Sequence, residues 1–557
     1  TVMRRRTLLG GAALAPLVGC TRSDVPSYTG GWVGASAERG HRLRDRKAAG
    51  VPAPEFGRRA GAIVVGAGIS GLAAARELAR AGIDDVQVLD LEDEAGGNSR
   101  SHAIAGMRCP LGAHYLPLPG ERAVEVIELL EALGVRRTER GLVVYDERML
   151  CHSPQERLHI EGFWHDGVLP PVDALPDAER AATLAHYRQF GAAVDAASAG
   201  GAFAMPTARS AWRPQLDALD RVTFAAWLAA QGLVAPALRW YLDYCCRDDY
   251  GAGAAQVSAW AGLHYFASRH GFHAPGDDGN KNAEERDGVL TWPEGNAWLA
   301  RQLAAKLREH MHMGRVVLRV VEGRDEVSVD LWNAVEQRAE RWTTPQLVLA
   351  VPLFIAARLI DSPPDALTQA AQAMPHAPWL VSNLHLADAL DEHPGAPLSW
   401  DNVFYDPHSA NPTLGYVDAM HQSTRQVPGP TVLTAYWALG GNTPVQLAAQ
   451  RAKLLAEPWS VWSNAVVTEL VRVHPDLPAK LKQVDLMRYG HAMSVPVPGL
   501  RSSAALRALA APNVTNHARI HFAHSDLSAY SVFEEALYQG TRAGAAAAKR
   551  RHAGRRG

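Results

Sequence analysis

Residues 60–90 read AGAIVVGAGISGLAAARELARAGIDDVQVLD, and the order of elements in that stretch decides the fold. Ala62 to Val65 is a short apolar run with the length and character of a buried parallel strand. Gly66, Gly68 and Gly71 then form G-x-G-x-x-G. The first glycine allows a tight turn, the second lets backbone approach a pyrophosphate, and the third lets helix and strand pack closely. Ile69 and Ser70, between the second and third, count with them as ligand contacts, because the helix that follows aims its first N–H groups at the pyrophosphate. Gly82 ends that helix and Val86 to Leu89 makes a second strand. Asp90 stands at its end, 24 residues after Gly66, placed to accept hydrogen bonds from a ribose. A glycine triplet alone is weak evidence. Strand, turn, helix, strand and acid in order specify a βαβ dinucleotide cradle.

Outward from the cradle, composition sets bounds. The 557 residues leave room for two or three domains and a large core. A formal net charge of −2 gives no electrostatic case for nucleic acid, and the basic C-terminal KRRHAGRRG reads as a solvated tail. Five cysteines are too few for a disulfide scaffold at this length. Cys109, Cys151, Cys245 and Cys246 are expected to be buried, inert thiols. No Cys or His cluster shows metal-ligand spacing, so no metal is expected.

The N-terminus reads as an export address. Arg5 and Arg6 precede Thr7, Leu8 and Leu9 in a twin-arginine arrangement, and Leu8 to Val18 is apolar, Gly or Pro throughout. That run is too short to cross a bilayer about 30 Å thick and suits a signal h-region. Leu17-Val18-Gly19-Cys20 resembles a bacterial lipobox, with Cys20 as the lipidated residue. The expectation is a signal over 1–20 and a tether or lead-in over 21–60. The protein would then be carried by the twin-arginine pathway to the periplasmic face of a bacterial membrane, which it would touch only through the lipid on Cys20. That route carries folded proteins with cofactor already bound, so an exported chain can also hold a cytoplasmic dinucleotide.

Residues 91–116, LEDEAGGNSRSHAIAGMRCPLGAHYL, resemble the second flavin-contact segment of the FAD-dependent amine oxidase and phytoene desaturase superfamily. Gly96 and Gly97 match its glycine pair, and Gly112-Ala113-His114-Tyr115 its closing turn. Asn98 follows the pair where the superfamily has Arg, and Arg100 comes two residues later. Residues 520–550, beginning IHFAHSDLSAYSVFEEALYQG, resemble the superfamily's closing motif. Asp526 takes the place of the acid near the ribityl chain or pyrophosphate, and Val532 and Phe533 stand where its helix begins under the flavin ring. The resemblance implies an α/β fold: a Rossmann-like, GR2-type, amine-oxidase-like FAD-binding domain with an inserted α+β substrate domain. FAD-binding segments are expected over 61–120, 285–360 and 495–550, and substrate-binding segments over 121–284 and 361–494. Gly66, Gly68, Ile69, Ser70, Gly71, Asp90, Gly97, Asn98, Arg100, Gly112, Ala113, His114, Asp526, Val532 and Phe533 are the expected FAD contacts.

The same resemblance implies a two-electron oxidation by hydride transfer to flavin N5, with reoxidation by O2 or a membrane electron carrier. A Lys commonly set against N5 in such amine oxidases falls near Val381 in MPHAPWLVSNLHL. Asp248 and Asp249, in YCCRDDYGAG, are candidates to hold a cationic substrate. Arg488, Tyr489 and His491, in RYGHAMSVPVPG, and His114 are candidates to face it, a histidine being able to accept a proton near neutral pH. Tyr436 and Trp437 are candidates for an aromatic wall. The expected partner is a small, cationic molecule, an amine or polyamine first, with homodimerisation left open. Two rivals stand: a flavin-dependent desaturase or isomerase of an apolar lipid, and a flavin-binding protein that has lost catalysis.

Overall fold

A computed structural model describes residues 28–269, 271–276, 288–408, 413–425, 427–511 and 513–553. The expected signal and Cys20 lie outside the described residues. The cradle stretch folds in the order its sequence dictates. Strand Ala62–Val65, buried along its whole length, pairs in parallel with Val86–Leu89 on one side and Leu347–Leu349 on the other. Met311–His312 and Ile520–Phe522 extend this to a five-stranded, all-parallel sheet. Sheets of this kind need both faces covered, which explains the unbroken apolar runs of their central strands.

The closing helix Phe533–Ala553 lies across the cradle helix Ile69–Arg80 with two glycines at the contact. A Cβ at Gly540 would stand 2.1 Å from the Ser70 carbonyl oxygen, and one at Gly544 2.6 Å from that of Ala74. Only glycine permits this backbone approach, so the last helix is locked to the first turn of the cradle. Strands Arg315–Glu322, Val327–Asn333 and Arg338–Thr344 make a second, antiparallel sheet beside the first.

The substrate half is an eight-stranded sheet capped by helices. At its centre run Leu481–Ser494, His376–Leu386, Thr431–Ala438, Thr413–Asp418, Asp401–Phe404 and Glu156–Ile160, in that order. Helices Asp177–Ser198, Phe224–Ala230, Pro236–Tyr250 and Ala259–Ala267 pack their apolar faces into one aromatic-rich core against it. No helix of the described residues is long and apolar enough to cross a membrane.

The lead-in expected over 21–60 is corrected from Thr29 onward, because this segment is part of both halves. Thr29–Trp32 adds a parallel edge strand to Leu481–Ser494, Ala37–Ala49 forms a helix capped by the Ser36 hydroxyl, and Phe56–Arg59 pairs with Arg338–Thr344. The partners of these short strands lie more than 280 residues away in sequence. A composition rich in Gly and Arg hides strands whose stability comes from such distant edges.

Candidate functional site

At the cradle, Gly66 has φ +101°, and a Cβ at Gly71 would stand 1.8 Å from the Gly66 carbonyl oxygen. The helix that starts at Ile69 carries no side-chain cap, although Ile69 and Ser70 are buried. Its first N–H groups therefore face inward without a side-chain partner, which is the arrangement an anion completes. Gly97 closes over this mouth: a Cβ there would come within 3.1 Å of the Gly68 Cα. Bare backbone on both sides of a buried, uncapped helix start fits the pyrophosphate of FAD. Asp90 braces the turn, its Oδ2 accepting from the Ala67 N–H at 2.6 Å and its Oδ1 from Glu92 at 2.8 Å. Burial holds its carboxyl above the ordinary value.

The remaining expected contacts divide. Asn98 fixes the second segment, donating from Nδ2 to the Ala492 carbonyl at 2.8 Å and accepting from the Ala113 N–H at 2.9 Å. A Cβ at Gly112 would meet the Asn98 carbonyl oxygen at 2.3 Å, so the two stretches touch backbone to backbone. Arg100 turns back into its own loop, donating to the Gly97 carbonyl at 3.1 Å with Glu92 3.5 Å away. Asp526 is fully buried; it accepts from the Leu353 N–H at 2.9 Å and lies 3.1 Å from both His376 and His524, which hold it well below the usual carboxylate range. Arg100 and Asp526 thus brace the loops around the cofactor rather than reach out of them. Val532 packs on the aromatic core and Phe533 on the nucleotide core, so the closing helix begins where the two meet.

Beyond Gly112 a cluster of aromatic rings marks the candidate substrate chamber. His114 stacks on Tyr436 at 4.4 Å between ring centroids, Trp400 lies 5.5 Å from His114, and Tyr115 meets Trp400 edge-on at 6.0 Å. Tyr436 and Trp437 face opposite sides of their strand, as alternation requires. Trp437 packs on Trp462 in a separate core, so only Tyr436 joins the wall. Val381 pairs with Tyr436 across the sheet and is buried, which puts an apolar side chain at the position expected near the usual Lys.

The two adjacent acids have different fates. Asp249 is buried in an ion pair with Arg269 at 2.8 Å and also accepts from the Tyr530 hydroxyl. It is a structural pair, which corrects its expected substrate role. Asp248 is half-buried and accepts from the Tyr115 hydroxyl at 3.0 Å. Desolvation, then the charge of Asp249, raise its pKa to about 7. Two further acids, not singled out in the sequence, join it. Asp401 and Glu156 sit side by side on parallel strands, and the Asp401 carboxyl is pushed far up by burial and by the charges of Glu156 and Asp248. The Tyr244 hydroxyl is driven up by burial and then by Asp401 and Asp248. Sequence spacing gave no sign of this grouping, because Glu156, Asp248 and Asp401 come from three distant elements.

Three expectations fail here. Arg488 points away from the chamber, its guanidinium 4.6 Å over the Trp32 ring and its NH1 donating to the Leu455 carbonyl at 3.2 Å. Its neighbour Tyr489 takes the inner side, donating to the Leu111 carbonyl at 2.8 Å. An irregularity in pairing between Tyr489 and Met493 carries His491 out to Phe354, 4.6 Å between rings. His114 stays at the aromatic wall: burial lowers its pKa to about 3, too low to hold a proton taken near neutral pH, which corrects its expected part as proton acceptor. The thiol of Cys109 is buried and pushed up to about 12, and Cys245 and Cys246 are raised well above the ordinary thiol value; Cys151, half-buried, rises to about 12.

A cleft of about 600 Å³ opens beside the chamber, lined by Trp240, Tyr244, Tyr405, Asp243 and Glu469 among others. None of its lining residues belongs to the cradle, and Tyr244 stands between cleft and acids.

The hydroxyl of Tyr115 stabilises the Asp248 carboxylate by donating to it. Tyr115→Phe removes a hydrogen bond to a charged group, worth about 1.5–3 kcal/mol. The acid limb of kcat/KM is expected to move up by about one to two pH units; an unmoved limb would detach Asp248 from turnover.

The family model described as flavin containing amine oxidoreductase matches residues 69–548. The structure of putrescine oxidase bound to putrescine superposes with a TM-score of 0.60 at 19% identity, covering 88% of this chain and 99% of that one. A fatty acid isomerase from P. acnes, described as CLA-producing, superposes with a TM-score of 0.58 at 15% identity over 86% and 97%. Polyamine oxidase 1 of Zea mays is 44% identical over 54 residues, 10% of this chain and 11% of its own length. The chain thus matches only a small part of that curated relative in sequence, and the two structural likenesses show the fold.

Proposed function

The chain belongs to the flavin-containing amine oxidoreductases and is an FAD-dependent oxidoreductase; from that premise we propose that its substrate is a small amine carrying more than one positive charge, of the diamine or polyamine class. The observation that carries this reading is that Asp248 and Asp401 lie close enough to raise one another beside an aromatic wall, with Glu156 next to Asp401 on the neighbouring strand. Like charges held together in a low dielectric raise one another's pKa, and a bound cation relieves the cost. Tyr115, Trp400 and Tyr436 offer faces to an ammonium group, a contact worth about 0.5–2 kcal/mol.

FAD supplies the hydride acceptor when bound. The protein's own part is to hold the amine and take its proton. An alkylammonium cannot give up hydride while it carries its charge, and Asp248, with its pKa near 7, is matched to accept that proton at working pH. His114 and Tyr436 exclude water from one side of the chamber. Asp401 and Glu156 would hold the second ammonium group.

The isomerase likeness suggests a lipid as the rival substrate. A fatty acid would bring a further carboxylate to Asp248 and Asp401, whose carboxyls burial and neighbouring negative charge already push up, so the acids favour the amine. The expected export as a lipoprotein is kept as part of the proposal, with the reaction on the periplasmic face of a bacterial membrane and reoxidation by O2 or a membrane carrier.

Anaerobic spectroscopy of the holoenzyme tests the reading. Putrescine or spermidine is expected to bleach the visible flavin band, a monoamine of equal length to do so at higher concentration, and a fatty acid not at all. Bleaching by the fatty acid alone would replace the amine with a lipid. A flavin that no compound reduces would favour a protein that has lost catalysis.

A further inference from the structure

Away from the chamber, three ligand-type atoms converge from two loops. His393 lies in the connection between strands His376–Leu386 and Asp401–Phe404, while His474 and Asp476 lie in the turn after helix Trp459–Val471. One ligand atom from each falls within 4.8 Å of the others. His393 Nε2, His474 Nδ1 and Asp476 Oδ1 are all buried and have no hydrogen-bond partner. Buried polar atoms are rarely left so, and one on each of three converging side chains asks for a shared occupant. His474 is fully buried, so bulk solvent does not reach it.

The opposite atom of two of these side chains is held in place. His474 Nε2 lies 2.8 Å from the Tyr416 hydroxyl, which lets that nitrogen keep its proton and leaves a lone pair on Nδ1. Asp476 Oδ2 accepts from Lys480 Nζ and from the Asp391 N–H, both at 2.8 Å, leaving Oδ1 to the cluster. Metal-ligating histidines and carboxylates are fixed by outer partners of this kind.

We propose that His393, His474 and Asp476 bind a divalent transition-metal ion of the zinc type. Two imidazoles and one carboxylate suit Zn²⁺, Ni²⁺ or Cu²⁺ and exclude the hard, all-oxygen preference of Ca²⁺ and Mg²⁺. At about 2.0–2.2 Å from each ligand, an ion needs the three atoms somewhat closer than they stand. The short movement belongs to the loop of His393, which is only partly buried. The ion would tie that loop to the turn at 472–476, whose Arg472 and Val473 line the cleft. The proposal does not depend on the substrate.

The test uses untagged full-chain holoenzyme, dialysed against chelator and titrated with ZnCl2, with bound metal counted by mass spectrometry after equilibrium dialysis. One zinc per chain and a higher melting temperature with zinc are expected. Tyr416→Phe should weaken binding about 10–100-fold, as loss of an outer partner does. His393→Ala and Asp476→Asn should weaken it more, with the flavin spectrum unchanged as the check on folding. Absence of zinc at micromolar concentration, as a water bridging the three atoms would produce, overturns the proposal. So does binding that His393→Ala leaves intact.

Discussion

Asp248→Asn lowers kcat/KM for a diamine by about 10²–10⁴-fold, the range a positioned proton acceptor contributes, while FAD stays bound. Asp248 accepts from Tyr115 and stands on helix Pro236–Tyr250, outside the cradle. Asparagine keeps the shape and the contact with Tyr115 but has no charge to accept a proton. In the wild-type enzyme kcat/KM rises with pH as Asp248 ionises near its pKa of about 7. The variant loses that limb. A second reading separates the charge from mere packing. Because burial and Asp249 raise the pKa of Asp248 above its unfolded value, its stability contribution is intact below the unfolded pKa and is lost as pH rises through the folded pKa. Removing the charge should therefore raise the melting temperature relative to wild type progressively from about pH 4 to about pH 7 and no further above. A variant that loses activity with an unchanged pH limb would show that another group takes the proton.

Local order and tertiary grouping explain what the sequence disclosed. The cradle was legible because every part of it is a neighbour in sequence: Gly66, Gly68 and Gly71 do their work within one turn, and Asp90 closes the next strand. The tie between Asn98 and Ala113 was not legible, since it joins residues that flank the hairpin of Ser101–Ile104 and Met107–Pro110. Strand parity decided Arg488 against Tyr489, and a single irregularity in pairing displaced His491. Adjacent residues in YCCRDDYGAG suggested that Asp248 and Asp249 act together, yet one position on a helix turns a side chain by about 100°. That rotation sends Asp249 to Arg269 and Asp248 to Tyr115. Asp401 and Glu156 pair across strands 245 residues apart, and His393 and His474 meet across 81. No periodicity or spacing encodes such meetings; they exist only once the sheet has formed.

Gly71→Ala should abolish FAD binding. In a sound cradle the third glycine is where helix and strand come closest, and here a Cβ would lie 1.8 Å from the Gly66 carbonyl oxygen and 3.2 Å from the Ala350 side chain. The nearer contact is with backbone, which no rotamer change can relieve. Either the helix Ile69–Arg80 moves off the strand or the Gly66 peptide turns, and both displace the uncapped N–H groups that face the pyrophosphate. The movement would not stay local, because Gly540 rests on the Ser70 carbonyl and carries the closing helix with it. The expected result is purified protein without the visible flavin spectrum and with a lowered melting temperature that added FAD does not restore. Gly82→Ala is the matched control. Its φ of +80° costs backbone energy, but a Cβ there meets nothing within 4 Å. It should lose about 1 kcal/mol of stability and keep its flavin. If both variants kept FAD equally, the close approach of helix to strand would not be what seats the cofactor.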